Sequence, residues 1–201
     1  THYDGQWHIS HADLPDPAAG GSLATNDDNG VADAAAVQRY LDADPLAPFG
    51  FSGWVGPEPH GAGLANSGVR RDPLIADRVV AWLEDRYARR RAGDPAAMRP
   101  FLLVASFVNP HDIVLFPTWV RRSPLEPSHL DPPPVPAAPT AGEDLRTKPA
   151  AQIAFREAYY SGYGPAPAIE RVYERNAQRY RDLYYRLHAE VDAPIDRVRR
   201  A

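Results

Sequence analysis

One apolar run constrains the fold of this chain more than any other feature. Residues 101–108 read Phe-Leu-Leu-Val-Ala-Ser-Phe-Val and are apolar on both faces of an extended strand. Such strands are typical of parallel sheets with helices on either side. The next residues are Asn109-Pro110-His111-Asp112. The ligand crevice of an open α/β sheet lies beyond the carboxyl ends of its strands, so His111 is a candidate functional residue. The alternative is a histidine that only caps a turn.

An amphipathic helix is predicted before this strand. Asp72 has the position of an N-cap, Pro73 that of the first helical residue, and Gly93 follows the end. The apolar side chains recur at three- and four-residue steps between these limits, at Ile75, Val79, Trp82 and Leu83. Helix followed by strand indicates an α/β layer.

A second apolar stripe with helical spacing lies near the end of the chain. It runs from Ile169 to Val191, and we expect Pro194 to kink or restart the helix. Residues 15–68 predict a long surface loop with one short helix near 34–41. The proline-dense stretch from Pro110 to Pro149 predicts extended chain with little regular structure.

Composition excludes several classes of function. The chain has 201 residues, a formal net charge of -4 and no dominant basic block, which argues against a nucleic-acid partner. It has no Cys, so no thiolate site or disulfide can form from these residues. No stretch reaches the roughly 18 to 20 apolar residues that span a bilayer. Neither localisation nor oligomeric state follows from these features.

Three histidines near the start invite a metal-site interpretation. His2, His8 and His11 have carboxylates nearby in the sequence. If residues 1–9 form a strand, His2 and His8 lie roughly 20 Å apart, too far to share one ion. We therefore expect no metal ligands among these residues.

Four segments together resemble the sulfatases, a family of the alkaline phosphatase superfamily. Asp4-Gly5-Gln6-Trp7-His8-Ile9-Ser10 is similar to the family's Gly-Lys-Trp-His segment, and Phe49-Gly50-Phe51-Ser52 to its Gly-Phe-Asp loop, with Ser52 in place of Asp. Residues 100–112 resemble the apolar strand that ends in Pro-His. Residues 184–198 resemble the Tyr-Tyr helix, with Asp192 and Arg197 matching.

The resemblance implies a fold and a reaction. The fold is a sulfatase-like α/β sandwich with a mostly parallel sheet between helices, and residues 1–201 are expected to be the central part of one catalytic domain, truncated at both ends. The reaction is hydrolysis of a small-molecule or glycan sulfate ester by a formylglycine, beside a divalent cation, usually Ca²⁺. Neither the formylglycine motif nor the metal ligands are recognisable in this chain, so we expect them outside it and the chain alone to be inactive.

The resemblance also assigns roles to three side chains. His8 matches the histidine that contacts the formylglycine hydroxyl, a general-base role. His111 matches the histidine near the bridging ester oxygen, where a donor stabilises the leaving group. Gln6 stands where the family has a substrate-binding Lys, so the position keeps a hydrogen-bond donor and loses its charge.

Two other functions remain open at this point. One is a phosphodiesterase or phosphonate hydrolase of the same superfamily, which would use a Thr or Ser nucleophile with two metal ions. The other is a non-catalytic relative that serves as a binding module, in which Gln6 marks the decay of the site.

Overall fold

The computed structural model describes residues 1–58, 63–122, 126–162 and 166–201. They form two compact units, one of Thr1–Asp112 with His188–Ala201 and the other of Ile113–Leu187. The strands are β1 (His2–Gly5) and β2 (Leu103–Ser106). The α-helices are α1 (Ala34–Ala43), α2 (Gly68–Arg91), α3 (Pro95–Met98), α4 (Phe116–Arg122), α5 (Ala150–Ser161), α6 (Ala166–Arg175) and α7 (Ala177–Arg200).

A small parallel sheet organises the first unit. β1 pairs in parallel with β2, in a register that places Gly5 opposite Ser106. On the other side of β1, His2 forms a parallel bridge with Ser52. The predicted α/β character is therefore present, although the described residues provide only two paired strands and are mainly helical.

The two faces of the sheet contact two separate apolar clusters. Leu103, Ala105 and Phe107 face the core residues Ile75, Val79 and Leu83 of α2, which also contact Val108 and Val198. Val104 faces the opposite cluster, which contains Tyr3, Trp7, Tyr40, Leu46, Trp54 and Val55. The alternation follows from the two-residue period of a strand.

The apolar run is less buried than its sequence predicts. Every residue of β2 is only half-buried, and Phe101 and Leu102 before it are 40% and 52% exposed. Within the described residues β2 pairs with β1 alone, so its far edge has no neighbouring strand to cover it.

Helix α2 begins earlier than predicted. Its N-cap is Ser67, so Asp72 and Pro73 lie inside the helix and the predicted N-cap was wrong. The carboxylate of Asp72 instead accepts the backbone N–H groups of Val108 and Asn109, at 2.6 and 3.0 Å. A tertiary contact thus replaces the local capping role that the sequence pattern favoured. The helix ends at Arg91, two residues before Gly93, as expected.

The last helical stripe is interrupted at a different place from the predicted one. α6 and α7 separate at Asn176, whose side-chain amide donates to the carbonyl of Val172 at 2.8 Å. This bond satisfies a terminal carbonyl of α6. α7 then continues through Pro194 to Arg200, so the helix does not end or restart at Pro194.

The second unit is helical and rich in tyrosine. α4 and α5 both contact α6. Phe116, which is fully buried, contacts the rings of Tyr173 and Tyr180 at 5.6 and 5.1 Å. α4 lies inside the stretch 110–149, for which little regular structure was predicted, and burial of Phe116 and Trp119 stabilises this short helix. No helix among the described residues has the length and apolar character required to cross a membrane.

A buried ion pair connects β1 to α2. The guanidinium of Arg78 donates to both carboxylate oxygens of Asp4, at 2.7 and 2.6 Å. The side chain of Asp4 is 1% exposed and that of Arg78 is 21% exposed. The bidentate geometry offsets much of the cost of removing the carboxylate from water.

Removal of one partner from this pair should destabilise the first unit. We expect Asp4→Asn to lower the free energy of unfolding by about 3 kcal/mol, because it leaves the partly buried guanidinium of Arg78 without its counter-charge. Urea denaturation followed by tryptophan fluorescence measures this. The matched control is Arg89→Gln, on the same helix as Arg78, which removes an exposed ion pair with Asp94 beyond the end of that helix and should have little effect. Equal effects of the two substitutions would contradict the prediction.

Candidate active site

His8 lies just beyond the carboxyl end of β1. Gly5 ends the strand with φ +108, and a Cβ at this position would lie 1.9 Å from the carbonyl oxygen of Ser106, so only glycine fits there. Trp7 is 3% exposed and packs in the core, with its ring 5.2 Å from that of Tyr3. Because Trp7 anchors the segment inward, the side chain of His8 is directed outward and is 71% exposed.

His111 lies beyond the carboxyl end of β2. The turn that carries it is closed by a hydrogen bond from the N–H of His111 to the carbonyl of Val108, at 2.9 Å. The peptide bond between Asn109 and Pro110 is cis. The side chain of His111 is 47% exposed.

The two imidazoles are neighbours. Their ring centroids lie 6.0 Å apart, with the planes at 78° to each other. Parallel pairing brings the carboxyl ends of β1 and β2 to the same edge of the sheet, and each histidine follows its strand by a few residues. The fold therefore brings together two residues that are 103 positions apart in the sequence.

Gln6 lies between β1 and Trp7, and its backbone is firmly held. Its N–H donates to the carbonyl of Ser106 at 2.7 Å, and its own carbonyl accepts from the hydroxyl of Tyr3 at 2.5 Å. It is half-buried. The position is fixed relative to His8, and the side chain is uncharged.

Two buried carboxylates lie behind the histidines, and sequence reasoning assigned neither of them to the site. Nδ1 of His8 lies 3.9 Å from Oε1 of Glu58, and Nδ1 of His111 lies 3.6 Å from Oδ1 of Asp112. Asp112 directly follows His111 in the sequence. In the sequence, Glu58 is a single charged residue between Pro57 and Pro59. That position was a signal that could have indicated Glu58 as a site residue. His60 of the same loop lies outside the described residues.

The turn that carries His111 is anchored to α2 by two carboxylates in opposite directions. Asp72 of α2 accepts from the backbone of Val108 and Asn109, and Asp112 of the turn accepts from the N–H of Gly68 at 3.2 Å. Burial raises the pKa of Asp72 to about 7 against the effect of its two N–H donors, and the charge of Asp112 raises it further. Burial also raises the pKa of Asp112 to about 7, with the charge of Glu58 as a further cause.

The buried arginines near the site are already engaged. Arg71 is 4% exposed and donates to Thr25 Oγ1 at 3.1 Å and to the carbonyls of Gly56 and Pro57, both at 3.4 Å. Burial lowers its pKa to about 10, and the nearby charge of Arg78 adds to this effect. Arg78 pairs with Asp4. Arg71 thus serves to hold the loop that carries Glu58, and neither arginine replaces the charge that Gln6 lacks.

Asn109 contributes a buried polar group next to His111. It is 5% exposed, and neither its Oδ1 nor its Nδ2 has a hydrogen-bond partner within the part of the chain that the structure describes. A buried amide without partners is costly, and in native proteins a water or ligand commonly provides them.

The remaining early histidines, His2 and His11, belong to no metal-binding group within the part of the chain that the structure describes. The ring of His2 stacks on Trp82 with centroids 4.9 Å apart, and burial lowers its pKa. His11 lies on an exposed segment. Among residues 1–58, 63–122, 126–162 and 166–201, no group of three His, Asp or Glu side chains is arranged to hold a metal ion.

A cavity of about 610 Å³ lies in the second unit. Three of its charged groups are used within that unit: Arg186 contacts Asp131 at 3.2 Å, and Asp182 accepts from the N–H of Val135 at 2.8 Å. Trp119 and Phe116 line it but are almost completely buried by their own unit. This cavity has no histidine among its described lining residues, in contrast to the pair at the sheet edge.

The two raised carboxyl pKa values predict a pH-dependent stability. Because both folded-state values exceed the ordinary 3.8, the contribution of these groups is complete below about pH 4 and is lost as the pH rises through about 7. At about 1.4 kcal/mol per pKa unit, the loss is a few kcal/mol for each of the two groups. We expect the free energy of unfolding, measured by urea denaturation, to differ less between pH 4.5 and pH 7.5 in Asp72→Asn than in the parent chain. Asp85→Asn, an exposed position of the same helix, should behave like the parent. The prediction is contradicted if the free energy of unfolding of Asp72→Asn changes between the two pH values as much as that of the parent chain.

Comparison with protein-family models, with curated proteins and with solved structures finds no match to this chain. The resemblance to sulfatases therefore depends on the motif residues themselves, and what it implies about function remains a proposal.

Proposed function

We propose that this chain forms the central part of a sulfuric ester hydrolase of sulfatase-like α/β fold, in which His8 and His111 contact the sulfate ester. The observation that carries the proposal is the exposed imidazole pair, 6.0 Å between ring centroids, at the carboxyl ends of two adjacent parallel strands. This is the edge at which open α/β sheets bind ligands.

The chemistry of sulfate ester cleavage requires what such a pair can provide. Negative charge develops on the bridging oxygen as the S–O bond breaks, and a positioned donor stabilises it. A second imidazole can accept a proton from the attacking hydroxyl, because histidine titrates near neutral pH. His111 as the donor and His8 as the base correspond to the family roles.

The charge of the described site suits an ester with a single negative charge. Arg71 and Arg78 are engaged elsewhere and Gln6 is neutral, so none of these three side chains brings a further positive charge to the ester. A sulfate monoester carries one charge at neutral pH, whereas a phosphate monoester carries close to two. A phosphodiester has the same charge as a sulfate monoester, so charge does not separate the two reactions. Relative rates on an aryl sulfate and an aryl phosphodiester separate them.

Formylglycine and Ca²⁺ are implied by the resemblance alone. The sequence contains no Cys/Ser-x-Pro-x-Arg motif, and the described residues include no three-ligand metal cluster, so none of them is assigned to either group. When bound, these groups would supply the nucleophile and its activation. The residues of this chain would orient the ester and move protons.

Substitution of the histidines tests the proposal in the full-length enzyme. We expect His8→Ala and His111→Ala each to lower kcat for an aryl sulfate by about 10²- to 10⁴-fold, the usual contribution of general acid–base catalysis. His11→Ala is the matched control, an exposed histidine three positions after His8, and should keep the parent rate. Parent rates in both site variants would contradict the proposal, and faster cleavage of an aryl phosphodiester would favour the alternative reaction.

Position 6 provides a second test. We expect Gln6→Lys in the full-length enzyme to raise the rate on an aryl sulfate about tenfold or more, because a charge-assisted contact to the sulfate group replaces a neutral one. The control is Gln38→Lys, which adds the same charge on the exposed face of α1. An unchanged rate in Gln6→Lys would show that another group already compensates for the missing charge.

A further inference from the structure

The same nitrogen of each histidine faces a carboxylate. Nδ1 is the atom that approaches Glu58 in His8 and Asp112 in His111, at 3.9 and 3.6 Å. The side chains of both carboxylates are 6% exposed, whereas the rings are 71% and 47% exposed. Each imidazole therefore has a protein-facing edge at Nδ1 and a solvent-facing remainder.

Each carboxylate is held in place by its other oxygen. Oε2 of Glu58 accepts the backbone N–H of Trp7, and Oδ2 of Asp112 accepts that of Gly68 at 3.2 Å. Glu58 is fixed further by its own N–H, which donates to Asp13 at 2.8 Å. In each pair, one carboxylate oxygen accepts a backbone N–H and the other oxygen faces Nδ1 of the histidine. This arrangement occurs twice, on separate segments of the chain.

We propose that Glu58 and Asp112 are positioning residues that hold His8 and His111 as Nδ1–H imidazoles, with Nε2 directed at the substrate. The inference rests on the proposed function for its catalytic meaning, although the orientation of the rings is independent of it. A carboxylate beside Nδ1 selects the tautomer that carries hydrogen on that atom. Nε2 then carries a lone pair and can accept a proton. Once the ring is protonated, Nε2 becomes a hydrogen-bond donor, as the roles of the two histidines require.

The distances fit a site without its substrate. Values of 3.6 and 3.9 Å exceed the 2.7 to 3.2 Å range of a hydrogen bond and lie within ion-pair contact. Catalytic contacts of this kind commonly shorten when substrate binds. A purely structural role is the competing explanation, since both carboxylates also satisfy a backbone N–H group.

Amide substitutions separate these explanations. In Glu58→Gln, the single amide oxygen stays on the N–H of Trp7, so the NH₂ group faces Nδ1 of His8 and the ring must change to the Nε2–H form. Asp112→Asn has the same consequence for His111, because its oxygen stays on the N–H of Gly68. A structural role alone would lower stability in both variants without a change of tautomer.

The experiment is ¹⁵N NMR of the imidazole nitrogens in this chain at a pH above the histidine titration, where the hydrogen-bearing and lone-pair nitrogens resonate far apart. We expect the Nδ1–H form for His8 and His111 in the parent chain. Glu58→Gln should switch His8 alone, and Asp112→Asn should switch His111 alone. The control Asp4→Asn removes a buried carboxylate that pairs with Arg78 and should switch neither.

The inference is overturned if both rings have the Nε2–H form in the parent chain, or if the folded amide variants keep the parent tautomers. The parent spectrum alone decides the first point even if a variant does not fold. In the full-length enzyme, Glu58→Gln and Asp112→Asn should lower kcat with little change in KM. Failure of the proposed function would look different, with active His8→Ala and His111→Ala enzymes and the Nδ1–H tautomers intact.

Discussion

The parallel pairing of β1 with β2 is the constraint on which the rest of the site depends. It places Gly5 opposite Ser106, so both strands end at the same level and their continuations meet at one edge. His8 and His111 become neighbours for this reason and not because of any local sequence signal. A shift of register would separate them, and the two apolar clusters on the faces of the sheet make such a shift costly.

Buried carboxylates hold the segments that form the site. Asp4, Asp72, Asp112 and Glu58 are all nearly inaccessible to solvent, and each accepts hydrogen bonds from a guanidinium or from the backbone. Buried carboxylates contribute little net stability compared with apolar residues of similar size. Their value here is geometric, because they fix the turn after β2 to α2 and the loop at Glu58 to the segment after β1. The raised pKa values of Asp72 and Asp112 reflect the cost of that geometry.

Sequence reasoning succeeded where the determinants were local. The helical stripe of α2, the short helix α1 and the position of His111 after a strand all follow from periodicity and strand-end rules, and the structure bears them out. It was wrong where tertiary contacts override local preference. Asp72 leaves its predicted capping role because two backbone amides from the turn after β2 compete for its carboxylate.

Other features could not be predicted because they depend on residues distant in the sequence. Glu58 lies 50 positions from its partner His8, and only the folded loop brings the two together. The break at Asn176 rather than at Pro194 also escaped prediction, since an asparagine that bonds to the carbonyl of Val172 has no strong sequence signature. The roles of His8, His111 and Gln6 come from the family resemblance, and geometry adds the proximity of the two rings.

The central claim is that the two histidines form one sulfate-binding site. A crystal structure of the full-length enzyme with inorganic sulfate tests it most directly. The account predicts one sulfate ion whose oxygens lie within hydrogen-bond distance of Nε2 of both His8 and His111. A sulfate ion bound elsewhere while this edge of the sheet stays free, or rings that present Nδ1 to the ion, would contradict it.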